Sequence, residues 1–401
     1  MYQAVKITDR VYWVGAIDWT LRDFHGYTTG RGSTYNAYLI LADKITLIDT
    51  VKAGFQHEML ARIASVVDPE KIAYIVSDHS ETDHTGALTD TIERVKPEAV
   101  FASAMGVKAL AGHFHGDLGI RAVKDGETLS LGNATLAFTE TRMMHWPDSM
   151  FSYLVEEKLL FSQDGFGMHL ASEERFADQL PPYVIEYEAA KYFANILMPY
   201  ASRIVKVLDK VAQSGIELKI IAPDHGPVWR SDTSWILGKY REWIERKPKR
   251  KAVIVFDTMW GSTEKMARAI CEGLTESGVP VSFLPLRTSN RSDAATEVLD
   301  AAALIVGSPT LNDGLLPTVA DVLTYLRGLK PKNLLGAVFG SHGWNGTGAD
   351  EIKKYFDEMK VELVADPLKA NWIPDGAALQ DCRKLGRQVA EKVKEACDKG
   401  T

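Results

Sequence analysis

Asp78-His79-Ser80-Glu81-Thr82-Asp83-His84 directly follows the apolar run from Ile72 to Val76. His79, Glu81, Asp83 and His84 place four metal-capable side chains within six residues at the end of a predicted strand. Such density is not a packing pattern, because carboxylates are poor core residues unless something pairs them. A strand-to-loop junction is also where a rigid scaffold presents functional side chains. The stretch therefore predicts a metal centre on an α/β scaffold.

The order His-x-Glu-x-Asp-His resembles the His-x-His-x-Asp-His loop of metallo-β-lactamase-fold hydrolases, with Glu81 where their second histidine stands. Imidazole-rich sites suit zinc. The added carboxylate makes a harder, more anionic site and favours iron or manganese in a two-metal arrangement. Such a loop needs a bridging carboxylate and further histidines downstream. His145 stands in Met144-His145-Trp146-Pro147-Asp148, Asp164 follows the strand-like Lys158 to Ser162, and His225 lies in Pro223-Asp224-His225-Gly226-Pro227. Singly, each has an ordinary reading, and Asp164-Gly165 is a common turn pair.

Together, His79, Glu81, Asp83, His84, His145, Asp164 and His225 resemble the diiron site of the flavodiiron proteins. That resemblance implies that His79, Glu81 and His145 hold the iron nearer a flavin. It implies that Asp83, His84 and His225 hold the other iron and that Asp164 bridges them. It also marks His25, in Asp23-Phe24-His25-Gly26-Tyr27, as a group near the open face of the site. His25 and Tyr192 are the candidate catalytic residues, expected with Trp146 to tune the chemistry. His113 and His115, in Gly112-His113-Phe114-His115-Gly116, read as a surface loop rather than a third metal site. His57, His169 and His342 carry no support as ligands.

A chain of 401 residues exceeds a usual single core, so two domains are expected, over 1–249 and 250–401. The apolar fraction of 46%, the charged fraction of 25% and the absence of an apolar run of about 18 residues describe a soluble globular sequence. Net charge is −7 with both signs dispersed, which excludes a nucleic-acid surface. The N-terminus lacks a basic start followed by an apolar stretch, so no signal peptide and a cytoplasmic location are expected. Cys271, Cys382 and Cys397 are odd in number and have no Cys-x-x-Cys spacing, so neither a disulfide framework nor an iron-sulfur or rubredoxin centre is encoded. The basic stretch Arg246-Lys247-Pro248-Lys249-Arg250-Lys251 reads as a solvated interdomain linker.

Before that linker, short runs of strand formers (Val11 to Gly15, Tyr35 to Leu41, Ile45 to Asp49) give way to helical stretches at His57 to Val67 and Ala87 to Val95. Further strands are expected at Val100 to Ala102, Leu136 to Glu140 and Ile220 to Ala222. The mixture fits a metallo-β-lactamase-like αββα sandwich, and the metal loop discriminates it from other α/β folds. After the linker the pattern becomes a strict strand-loop-helix alternation. Ala252 to Phe256, Ser282 to Pro285, Ala303 to Gly307 and Gly336 to Phe339 are the apolar runs of a doubly wound parallel sheet.

Three loops leave the carboxyl ends of those strands, where ligands of open α/β sheets bind. The first runs through Thr258, Met259, Trp260, Gly261, Ser262 and Thr263 and opens a helix. Its hydroxyls and the helix N–H groups can hold a phosphate without any arginine. The second comprises Ser308, Pro309, Thr310, Leu311, Asn312, Asp313 and Gly314; the third comprises Ser341, His342, Gly343, Trp344, Asn345 and Gly346. Together they resemble the FMN site of flavodoxins, with Trp344 placed to cover a ring face. Trp260 departs from the usual threonine but matches the flavodiiron pattern. No Gly-x-x-x-x-Gly-Lys-Ser/Thr loop or Gly-x-Gly-x-x-Gly order occurs, which argues against ATP and dinucleotides.

The resemblance covers nearly the whole chain and corresponds to the minimal two-domain, rubredoxin:oxygen oxidoreductase type of the family. It implies reduction of dioxygen to water and/or nitric oxide to nitrous oxide at two iron ions, through FMN. It further implies an external donor such as rubredoxin, with reduced deazaflavin as another, and a head-to-tail homodimer or dimer of dimers. The competing expectations are a two-metal hydrolase with a fused flavodoxin domain and an electron carrier with a vestigial metal domain. Glu81 and the three flavin loops weigh against the first, and the complete ligand set against the second.

Overall fold

In the computed structural model, which describes residues 2–399, side chains alternate between two cores along the central strands of the N-terminal unit. Tyr38, Ile40, Ile48, Val76 and Phe101 point to one side, where they pack with Phe138, Leu154, Phe161 and Ile220 of a second sheet. Leu39, Leu47, Ile75 and Val100 point to the other and meet Met59, Ile63, Leu88, Val95 and Leu110 of flanking helices. This is the two-residue period of a strand buried on both faces. Met1, Gly400 and Thr401, at the outer ends of the two expected domains, lie outside the described residues.

The first sheet is mixed, in the order Val5–Lys6, Val11–Trp13, Tyr38–Ile40, Thr46–Ile48, Tyr74–Ser77, Ala99–Ser103 and Arg121–Val123. The second runs Thr128–Ser130, Thr135–Glu140, Met150–Leu154, Leu159–Phe161 and Ile220–Ala222. On its outer side Phe151 meets Phe166, which packs on Tyr240 of the helix Thr233–Glu245. The unit is thus a metallo-β-lactamase-like αββα sandwich. Its last two strands are parallel with Phe161 opposite Ala222. Asp164 and His225, each three residues further on, therefore leave the sheet at the same level.

The C-terminal unit has a parallel sheet ordered Val281–Pro285, Lys249–Phe256, Ala301–Gly307, Leu335–His342, with Leu368–Asn371 and Glu362–Leu363 both pairing the last. This strand order is that of a flavodoxin-like doubly wound fold. Ile254, Ile305 and Phe339 share one core with the helices Ser262–Glu276 and Gly376–Lys399. Val255, Val306 and Val338, of opposite parity, are equally buried on the other face. Among the described residues, no helix is long and apolar enough to cross a membrane.

Three local expectations are corrected. The basic stretch is not a solvated linker: Arg246 is buried, and Lys249–Phe256 is one strand whose first residues carry the charges. Lys249 pairs with Glu242 and Asp300, and Lys251 with Glu297 and Asp300, so carboxylates at neighbouring positions neutralise the strand start. Chain contacts divide the two units between Arg241 and Glu242, with Ala194–Pro199 grouped with the second. The run Tyr35 to Leu41 is two strands, because Ser33–Tyr35 pairs with Ala16–Asp18 in a separate ribbon. His113 lies in the last turn of the helix Ala104–Phe114 and His115 is the left-handed residue that ends it, so both are exposed but only His115 is outside the helix.

Candidate metal centre and a second cavity

Asp78 begins the metal loop by donating its backbone N–H to Asp49 Oδ1 at 2.8 Å, just past the strand Tyr74–Ser77. Asp148 then clamps the turn, accepting from Ser80 N at 2.6 Å, Ser80 Oγ at 2.7 Å and His79 Nδ1 at 3.0 Å. Burial would raise the Asp148 carboxyl, yet His79 and Ser80 pull it down to about 2. The single turn Thr82–Thr85 presents Asp83 and His84 inward. His225 is aimed by Asn36, whose Nδ2 holds the flanking carbonyls of Pro223 at 2.6 Å and Gly226 at 2.9 Å. Its own Nδ1 donates to Thr34 O at 2.6 Å, leaving Nε2 for the site.

The seven expected donors converge in two groups. In the first, His79 Nε2 and His145 Nε2 each lie 3.3 Å from Glu81 Oε2, and Asp164 Oδ2 lies 2.9 Å from His145 and 3.5 Å from His79. In the second, His84 Nε2 lies 3.4 Å from Asp83 Oδ1, and His225 Nε2 lies 3.2 Å from Asp83 Oδ2. Asp164 turns its other oxygen to this group, with Oδ1 3.2 Å from His84 and 3.4 Å from His225. All seven side chains are buried or nearly so.

The donor set fits metal ions. Both oxygens of Asp83, Asp164 Oδ1 and both nitrogens of His84 are buried without a hydrogen bond among the described residues. Such groups are costly to bury unless a ligand satisfies them. Two donors about 2.1 Å from one ion, at an angle of about 90–110°, are roughly 3.0–3.4 Å apart, which is the spacing seen here. Burial would raise the Glu81 carboxyl, but hydrogen bonding to His145, His25 and His79 holds it well below the usual carboxylate range. Beneath the donors, burial pushes Asp49 up to about 7 and drives Asp78 and Asp224 well above their ordinary values.

His25 sits at the tip of the hairpin Asp23–Phe24/Tyr27–Thr28, where it and Gly26 both have positive φ, as a tight two-residue turn requires. Its Nε2 lies 2.8 Å from Glu81 Oε1, the oxygen turned away from His79 and His145, while its side chain stays 65% exposed. The Tyr192 ring is buried 5.2 Å from His169 and 6.1 Å from His225, and the Trp146 ring is 5.2 Å from His79. His169, which has no ligand spacing in the sequence, is a further neighbour of the donors. It is fully buried, 2.8 Å from Ser33 Oγ, with its ring 4.6 Å from that of His225. Burial pushes it well below its ordinary value, which favours the neutral ring.

In the C-terminal unit a cavity of about 710 Å³ opens at the carboxyl ends of the parallel strands. Met259, Trp260 and Ser262 line it from the first expected loop, residues 309–313 from the second and residues 341–345 from the third. Thr258, Gly261, Thr263, Ser308, Gly314 and Gly346 of the same loops do not line it. Thr258 Oγ1 accepts the Gly261 N–H at 3.0 Å, Thr263 Oγ1 pairs with Ser341 Oγ at 2.9 Å, and Ser308 Oγ accepts the Leu316 N–H at 2.9 Å. Gly314 closes a turn on Leu311, and Gly346 starts the helix Thr347–Met359. Arg287, from outside the first loop, donates to Thr258 O at 2.8 Å and ties the loop backbone down. Trp372 and Ile373 also line the cavity and were not expected. A helix N-terminus beside an open site of this size suits a flat aromatic ligand carrying a phosphate.

Comparison with known proteins follows the same division. Residues 34–226 match the model of the ODP family beta lactamase, and residues 254–386 match that of flavodoxin. The chain is 45% identical over 397 residues to a nitric oxide reductase of Moorella thermoacetica, covering 98% of this chain and 100% of that one. It resembles the solved rubredoxin oxygen:oxidoreductase of Desulfovibrio gigas with a TM-score of 0.96 and 44% identity, covering 98% of this chain and 99% of that one. The flavodiiron protein of Giardia intestinalis matches with a TM-score of 0.94 and 31% identity, covering 100% and 99%.

Proposed function

The chain belongs to the flavodiiron proteins, and from that premise we propose that it reduces dioxygen to water and/or nitric oxide to nitrous oxide. The seven-residue cluster would hold two iron ions, and the C-terminal cavity would hold FMN. The observation that carries the reading is Asp164, whose two oxygens face different histidine pairs. When bound, the ferrous pair and the reduced flavin each supply two electrons, together the four that dioxygen requires.

The protein's own residues bind, orient and exclude. Three carboxylates and four imidazoles form the donor set, and Glu81 gives one group the anionic character that suits iron over zinc. His79 is oriented by Asp148, and His225 by Thr34 and Asn36; such outer partners fix ring tautomer and aim. His25 holds a proton on Nε2 against Glu81 Oε1 and is open to solvent, so it stands where protons enter. Tyr192, His169 and Trp146 wall the donors with buried or neutral groups and limit water.

Rubredoxin, or another small external donor, is the proposed electron source. The proposed working unit is a head-to-tail homodimer or a dimer of dimers in the cytoplasm, the flavin of one subunit serving the irons of the other. The hydrolase reading is disfavoured by Glu81 and by the flavodoxin unit. Metal and flavin analysis of anaerobically purified protein tests the assignment. Near two iron and one FMN per chain are expected; zinc in place of iron would return the hydrolase, and no metal would return the electron carrier.

A further inference from the structure

Trp372 and Ile373 leave the carboxyl end of the strand Leu368–Asn371 and enter the cavity wall beside Trp344. Trp344 is 87% exposed, Trp372 64% and Ile373 69%. Large apolar side chains exposed around one concave site mark a surface that a ligand or partner covers. The two indoles stand 6.3 Å apart at 58° to one another, both belonging to this unit.

Two details show that Trp372 is held in place rather than left loose. Its φ is 53°, a left-handed conformation that bulky residues rarely adopt and that persists where surrounding structure over-determines it. The backbone is held there by its own N–H, which donates to His342 O at 2.7 Å. Gly343 supplies the space for the ring. A Cβ on Gly343 would lie 2.9 Å from Trp372 Cη2 and 3.0 Å from Cζ3, so a side chain there would displace the indole.

We propose that Trp372 is a flavin-contacting residue, whose indole packs against the isoalloxazine and helps set its affinity and its fluorescence. The proposal rests on the reading that this cavity takes FMN. It adds a contact from the end of the last strand, Leu368–Asn371, to the three loops and explains why residue 343 has no side chain. Offset or edge contacts between aromatic rings supply the attraction, and an indole close to a flavin quenches its emission.

The test strips flavin from the iron-loaded full chain and titrates FMN back while following flavin fluorescence. Trp372→Ala should raise the FMN Kd roughly three- to tenfold and brighten the bound flavin. Trp372→Phe, which keeps a ring, should recover most of the affinity with weaker quenching. Gly343→Ala should shift both readouts in the direction of Trp372→Ala by displacing the indole. A Trp372→Ala protein with the wild-type Kd and quenching would overturn the proposal while leaving the FMN reading intact. Equal loss of affinity in the alanine and phenylalanine variants would overturn the aromatic contact. A wild-type chain that takes up no FMN would overturn both.

Discussion

Asp164 Oδ1 and His84 Nε2 lie 3.2 Å apart in the buried interior, yet neither makes a hydrogen bond among the described residues. Two groups that close and unaligned behave as ligands of a common ion. The opposite oxygen of Asp164 faces His145 at 2.9 Å, so one carboxylate serves both halves of the site.

Asp164→Ala is therefore expected to cost both metals, lowering iron from about two per chain to well below one, whereas Asp83→Ala should spare the first group. Iron assay alongside far-UV circular dichroism checks this, since the fold should survive. An Asp164→Ala protein that keeps two irons is incompatible with a bridging carboxylate.

Glu81→His should move the site toward zinc and abolish gas reduction, because imidazole replaces the anionic donor. The loop should still fold, since its clamp is Asp148 rather than Glu81. Metal identity by mass spectrometry and oxidase turnover are the readouts. Retention of two irons with near-normal turnover would remove Glu81 from the donor set.

Thr258→Ala combined with Ser262→Ala should lower FMN occupancy and leave iron content nearly unchanged. Thr258 loses the hydroxyl that orders the loop through Gly261, and Ser262 faces the cavity. Absorbance at the flavin band against iron per chain separates the two effects. Full flavin content in the double variant contradicts the phosphate-loop assignment.

The metal loop was legible because its donors are close in sequence, and His145, Asp164 and His225 were legible because each stands beside a strand-like run. The layer behind them was not. Asp148 meets His79 across 69 positions, and Asn36 meets Pro223 across 187, contacts that only the folded sandwich creates. His169 sits in Gly-Met-His-Leu-Ala, which has no ligand spacing, and is brought to His225 by the chain's path after Asp164. Trp372 has no sequence signal because the strand before it is only four residues long and half exposed, with weak apolar character. The basic stretch misled because its neutralising carboxylates, Glu242, Glu297 and Asp300, are supplied by other segments.

A mixed dimer tests electron transfer between subunits. One subunit without FMN and one without iron, each inactive alone, should regain measurable activity after exchange. Exchanged dimers with no activity above the parents would instead require transfer within one chain.

The most direct test of the central claim is steady-state consumption of dioxygen and nitric oxide by protein carrying about two iron and one FMN per chain, with reduced rubredoxin as donor. Catalytic consumption of at least one gas is expected, and it should vanish in Glu81→His and in flavin-stripped protein. Fully loaded protein that consumes neither gas, or turnover that survives removal of iron, would contradict the account.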